Sequence, residues 1–197
     1  MGVLKNIKYQ ISNIKYLKSS FTFIELIVVI GVVGLALPVL FAIVFALLQQ
    51  QTKIYRLSQV KREGDYALNV MENIIRNNVI SLHSGTPPTD SNKVCTTEGS
   101  TFDTPYLQDK YTLGTWSRFY FSNDKIASES STPPSINANL TTDKVKVTSF
   151  SISCQGKGIY SSPFVNLSFI IQYNTTSTRP EETATLNYQT KIKLRSY

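Results

Sequence analysis

Glu25 is the residue whose position calls for chemistry. Leu26 through Leu48 form a run of 23 residues without a formal charge, and this carboxylate stands at its edge, four residues after the apolar stretch begins at Phe21. A carboxylate placed in a bilayer is penalised by about 2.5–3.5 kcal/mol at mid-membrane and by less near the interface. It is tolerated there only with a partner of opposite charge or a set of hydrogen-bond donors.

Elsewhere the residue types that carry catalysis are thinly spread. His83 is the one histidine and has no neighbouring cysteine or Ser–Asp arrangement; it reads as a residue at the end of a helix, favoured there by the dipole. Gly31 and Gly34 lie inside the apolar run, where no phosphate loop can form. Asp90, Glu98, Asp103, Asp109 and the pair Glu181–Glu182 lie in loop-like stretches without the spacing of a calcium loop. There is no CxxC pair and no Cys/His cluster. The sequence therefore predicts no enzyme, no metal and no cofactor. Cys95 and Cys154 either pair as one disulfide in an oxidising compartment or stay as two small apolar side chains. Lys144 and Lys146 on one strand and Lys191, Lys193 and Arg195 on another would form a basic patch if the two strands were neighbours, and such a patch would suit DNA.

These residues need elements to position them. A run of roughly 20 apolar residues crosses a bilayer as a helix, and this one is long enough. It is too long, and lies too far into the chain, for the apolar core of an ordinary secretory signal. Pro38, with Gly31 and Gly34 before it, predicts a local kink or loosening of that helix and room for close helix approach. Beyond the run, Leu57, Val60, Gly64, Ala67, Leu68, Met71, Ile74, Ile75, Val79 and Leu82 keep an i, i+3, i+4 rhythm. Arg56, Gln59, Lys61, Arg62, Glu63 and Glu72 fill the other face. The pattern predicts one helix from Phe21 to about Leu82, roughly 90 Å long at 1.5 Å per residue.

After His83 the stretch to Tyr106 is rich in Ser, Thr, Pro and Gly and reads as a loop. Strands follow at 117–122, at 144–154 with a bulge near Thr148–Ser149, at 164–173, and from Thr183 to the end. Val165, Leu167, Phe169, Ile171 and Tyr173 share one face, as do Ala184, Leu186, Tyr188, Ile192 and Leu194. Residues 174–182 join the last two strands as a hairpin loop. The expected fold is α+β: a long helix, apolar in its first half and amphipathic in its second, packed on a small antiparallel sheet. Three segments result: a leader over 1–20, a membrane helix half over 21–50 and a globular domain over 51–197.

The net charge of +7 is uneven. The leader holds Lys5, Lys8, Lys15 and Lys18 and no acid, or +4, leaving 16 basic and 13 acidic residues, or +3, for the remainder. Lys53, Arg56, Lys61 and Arg62 follow the span as closely as the leader precedes it, so loop charge leaves orientation open.

Ser20, Phe21, Thr22, Phe23, Ile24 and Glu25, placed after an acid-free basic leader and opening a long apolar helix, resemble the processing signature of the type IV pilin and type II secretion pseudopilin family. The match is close over about residues 15–50 and extends to the rest in outline. The resemblance implies cleavage between Ser20 and Phe21 by a prepilin peptidase on the cytoplasmic side, and methylation of the new amine on Phe21. The family usually carries glycine before the cut, and Ser20 departs from that. The implied location is the bacterial inner membrane, crossed once, with the N-terminus cytoplasmic and the later residues exported. The implied partners are other subunits of the filament, the peptidase, the inner-membrane assembly platform and, before assembly, lipid. Glu25 would neutralise the terminal amine of a neighbouring subunit, with Thr22 beside it in the motif. Residues 56–82 and the closing strand loosely resemble J-type minor pseudopilins. Two other readings stay open: a DNA-binding minor pilin of a competence system, and a single-pass anchor that displays a β-domain without assembling.

Overall fold

A computed structural model describes residues 22–112, 114–131, 135–158, 161–180 and 182–195. The chain divides into two units, residues 1–47 and residues 48–197. The architecture is a long helix packed against two antiparallel sheets, which is the expected α+β class with a second sheet added.

Helix α1 runs from Phe23 to Asn77, unbroken through Pro38. In the first unit its side chains are exposed throughout, from Leu37 at 45 % to Phe23 at 80 % among the large apolar ones. In the second unit Val60, Gly64, Ala67, Met71 and Ile75 are buried, with Leu68 and Ile74 half-buried against the same core. The i, i+3, i+4 rhythm placed these residues inward, together with Leu57, which is instead exposed. Glu63, expected on the polar face, is also buried; its Oε2 accepts the Thr142 N–H at 3.2 Å.

The helix ends at Asn77, five residues short of the expected Leu82. Asn78 makes the last helical bond, its N–H donating to the Ile74 carbonyl at 2.9 Å, while its own carbonyl accepts the Lys110 N–H at 2.7 Å. Two asparagines followed by β-branched Val79 and Ile80 favour leaving the helix. Residues Val79–His83 form strand β1 instead, and Val79 and Leu82 are buried as strand residues.

Residues 84–100 are mostly irregular, with a short 3₁₀ turn at Asp90–Asn92. They are followed by β2 (Thr101–Asp103) and β3 (Tyr106–Asp109), so this stretch is less of a loop than its composition indicated. Strand β4 (Trp116–Ser122) turns at Asn123-Asp124, both with positive φ (51° and 60°), into β5 (Lys125–Ser130). A two-residue turn with positive φ at both positions matches the twist of a hairpin. Then come β6 (Ile136–Asn139), β7 (Val145–Gln155), β8 (Phe164–Tyr173) and β9 (Thr185–Lys193).

The five-stranded sheet has the order β1-β3-β4-β5-β6 and the four-stranded sheet the order β2-β7-β8-β9. The expected bulge lies in β7, where the register with β8 shifts between Val147 and Ser149. Val165, Leu167, Phe169 and Ile171 of β8 are buried, and Ile192 of β9 and Leu194 just after it close the core. One disulfide, Cys95–Cys154, ties the segment after β1 to β7.

Candidate functional site

The first turn of α1 holds Glu25 in a reciprocal cap. Its Oε2 accepts the Thr22 N–H and the Thr22 hydroxyl, each at 2.8 Å, while Glu25 N–H points at Thr22 Oγ1 at 3.4 Å. The Leu26 N–H donates to the Thr22 carbonyl at 3.2 Å. This is a capping box, with Thr22 at the cap and Glu25 three residues on, and it satisfies donors that a helix start otherwise leaves unpaired. The T-x-x-E spacing was visible in the sequence and gives Thr22 a role beyond its place in the motif. Ser20 and Phe21 lie outside the described residues.

Glu25 is the only formal charge between Thr22 and Thr52. Around it the helix presents an unbroken exposed apolar surface, long and apolar enough to cross a membrane. At Gly31 and Gly34 nothing lies within 4 Å of where a Cβ would sit. Both positions are open for another helix or a lipid chain to approach the backbone.

The five expected cations do not gather. Strand β8 lies between β7 and β9, so the strands carrying them are not neighbours. Lys146 pairs across with Gln172 and Gln172 with Thr185, whereas Lys191 pairs with Asn166 and Lys193 with Phe164. Lys191 is thus six residues along the sheet from Lys146, or about 20 Å at the usual strand rise. Lys146 is held by Asp124 at 3.0 Å, and Lys144 precedes β7. At the other end Lys191 donates to Gln155 Oε1 at 3.3 Å, and Lys191 and Lys157 both lie over the Phe164 ring. Arg195 lies beyond β9 and lines a different cavity, with Arg76 and Lys110.

His83 sits at the end of β1, not of a helix, and is 1 % exposed. Its Nδ1 lies 2.6 Å from Asn92 Oδ1, and its Nε2 lies 2.8 Å from Ser81 Oγ and 3.0 Å from Gln108 Oε1. The Asn92 amide is oriented by its other bonds, donating to the Pro87 carbonyl at 2.9 Å and accepting from the Thr89 N–H at 2.9 Å. Asn92 Oδ1 therefore faces Nδ1 as an acceptor, while Nε2 faces the Ser81 hydroxyl and the Gln108 side-chain oxygen. The network pins residues 84–92 over β1, a task of packing.

The loop acids are occupied or solvated. The hydrogen bond and charge of Lys93, 2.7 Å away, hold the Asp90 carboxyl below its usual range. The Ser177 hydroxyl, then the charges of Arg56 and Arg179, do the same for Glu182, which lies 3.5 Å from Arg56. Asp109 Oδ1 accepts the Tyr111 N–H at 2.8 Å, and Glu98 and Asp103 are exposed. Among the described residues no three His, Cys, Asp or Glu side chains are grouped to hold a metal.

A more ordered polar seam joins the helix to β9. The Tyr188 hydroxyl donates to Asp65 Oδ1 at 2.9 Å and lies 3.2 Å from the Lys61 carbonyl, and burial together with Asp65 raises its pKa. Its ring stacks on Phe169 at 4.9 Å and crosses the helix at Gly64. Thr190 donates to Glu72 Oε1 at 3.3 Å, and the Arg56 guanidinium donates to the Glu182 carbonyl at 2.6 Å while lying over Tyr173.

No family model matches the chain, and no curated protein and no solved structure matches it either.

Proposed function

We propose that this chain is a minor pilin or pseudopilin: a structural subunit of a type IV pilus-like or type II secretion filament, made as a membrane-anchored prepilin. The observation that carries the reading is Glu25, the single charge on the exposed apolar segment of α1 before Lys53, held in the first turn by Thr22. Cleavage after Ser20 and methylation of Phe21 would create an amine one helical turn from that carboxylate. In the precursor, Thr22 supplies the donors that make the buried charge tolerable. In a filament, a neighbour's amine takes over, so Glu25 sets the register between subunits. The α+β domain behind the helix supports the same reading, as the part displayed outside the membrane. The partners are then other subunits, the prepilin peptidase, the assembly platform and lipid.

Intact mass and N-terminal sequencing of protein extracted from its native membrane test this. A chain beginning at Phe21 with one added methyl is expected. A chain still carrying residues 1–20 would leave Glu25 without its amine and favour a non-assembling anchor. As a second arm, Glu25→Ala is expected to insert into the membrane at wild-type levels yet fail to enter filaments; normal assembly of that variant would sink the register role.

A further inference from the structure

Strand β9 leaves one side of the four-stranded sheet open. Where β8 meets it, the Tyr173 N–H donates to the Ala184 carbonyl at 2.8 Å and the Leu194 N–H to the Pro163 carbonyl at 3.1 Å, with an unbroken register between them. In an antiparallel ladder, residues bonded to the neighbour alternate with residues whose N–H and C=O point the other way. The even-numbered residues of β9 are therefore bonded to β8, and Thr185, Asn187, Gln189, Lys191 and Lys193 direct their backbone groups to the free edge. All five are exposed, and among the described residues no strand pairs with that edge. The other sheet edges are shorter: β1 has five residues, β6 four and β2 three, against nine in β9. Edges are ordinarily blunted by short strands, bulges, proline or charge. Strand β9 has neither bulge nor proline, and its charges, Lys191 and Lys193, gather at one end.

We propose that this edge receives an extended segment of a partner protein as an added strand, antiparallel to β9 and acidic at the end that meets Lys191 and Lys193. A row of N–H and C=O groups at alternate residues, set for a neighbour about 4.8 Å away, is matched by another extended backbone and by few other ligands. Carboxylates opposite the two lysines complement the charged end. A second copy pairing through its own β9 does not fit an anchored chain. Arg56 meets Glu182, the Gly64 position meets Tyr188 and Glu72 meets Thr190, so α1 and β9 run in the same sense. An antiparallel β9–β9 pair would set two such helices in opposite directions, whereas chains entering one membrane point the same way. The edge does not depend on assembly into filaments, and either reading can fail alone.

The test uses the full chain in neutral detergent micelles and a fluorescent nine-residue peptide that alternates threonine with valine and carries glutamate at its first and third positions. Saturable binding by anisotropy is expected, with slowed hydrogen exchange at the Asn187, Gln189 and Lys191 amides. Antiparallel pairing puts the odd-numbered peptide residues in the bonded positions. N-methylation at the fifth and seventh should therefore abolish binding, while N-methylation at the fourth and sixth should leave it intact. Gln189→Pro removes an edge N–H without touching the bonds to β8, and should weaken binding about threefold to tenfold, the loss of one net hydrogen bond. Gln189→Thr keeps that N–H and should bind like the unaltered chain; Tm checks that both variants fold. No saturable binding, equal loss with both N-methylated peptides, or protection confined to other strands would overturn the proposal. So would a dimer in sedimentation that Gln189→Pro dissolves, which would give the edge to a second copy.

Discussion

Gly64 is the residue on which the seam between helix and sheet turns. A Cβ built there would lie 2.4 Å from Tyr188 Cε2, so even alanine must push the ring away. The ring is held by its stack on Phe169 and by its hydroxyl bonds to Asp65 and Lys61, which leaves it little room to yield. Gly64→Ala should therefore destabilise residues 48–197 by about 1–3 kcal/mol, despite the helix-propensity gain of alanine. Denaturant unfolding followed by far-UV dichroism measures this, and a neutral or stabilising result would show that the ring relocates freely. Tyr188 also sets a pH dependence. Its folded pKa is raised, so the unfolded chain loses the phenolic proton first, near the usual value of about 10. Its contribution is present below that pH and falls away as pH rises through the folded pKa. Tyr188→Phe should flatten the alkaline loss of stability above about pH 10, and an unchanged alkaline limb would place the effect elsewhere. Glu182 works in the opposite sense: its carboxyl is held low, so its small contribution is lost as pH falls through the carboxylate range.

Among the elements, the segment between β1 and β2 depends most on long-range ties. It is irregular, yet it is fastened by the His83–Asn92 contact and by the Cys95–Cys154 bond, which joins positions 59 apart in sequence. Gly156 lets the same segment approach β7, since a Cβ there would lie 2.0 Å from the Thr97 carbonyl oxygen. A disulfide closing a loop of that length stabilises by about 2–4 kcal/mol, chiefly by restricting the unfolded chain. Reduction, or the double Cys→Ser variant, should lower stability by that amount and lower Tm. Hydrogen exchange should rise first in residues 84–100, and uniform loosening of the whole domain would contradict this placement. The strands differ in how plainly they could be read. Strand β8 was legible to the residue because its alternation is unbroken, Val165, Leu167, Phe169 and Ile171 pointing inward. Strands β5 and β6 were not, since KIASES and INAN carry few apolar residues and owe their state to pairing with β4 and with each other. The Asn123-Asp124 turn was the one local sign of that hairpin.

For the whole molecule, the decisive contrast is between an exposed apolar helix surface in residues 22–47 and a domain in residues 48–197 whose core is filled. On the filament reading, Thr22→Val should weaken handling of Glu25 in the precursor without removing the assembly charge. Lower membrane levels of the precursor with normal incorporation of what survives are expected, read by quantitative blotting of membrane and filament fractions. Unchanged levels would mean that the Thr22 donors are dispensable.

What the sequence determined by itself is what local pattern can encode. The apolar span, the T-x-x-E start, the buried stripe from Val60 to Ile75, the bulge in β7 and the two closing strands all follow from side-chain period and residue type. Tertiary structure decided the rest, because pairing between distant segments leaves no periodic trace. The helix stops at Asn77 because Asn78 can bond to Lys110, a partner 32 residues away that no helical rhythm announces. The basic residues scatter because β8 intervenes between β7 and β9, while Arg195 joins Arg76 and Lys110 only through the fold. His83 is a core residue because Asn92 and Gln108 close over it.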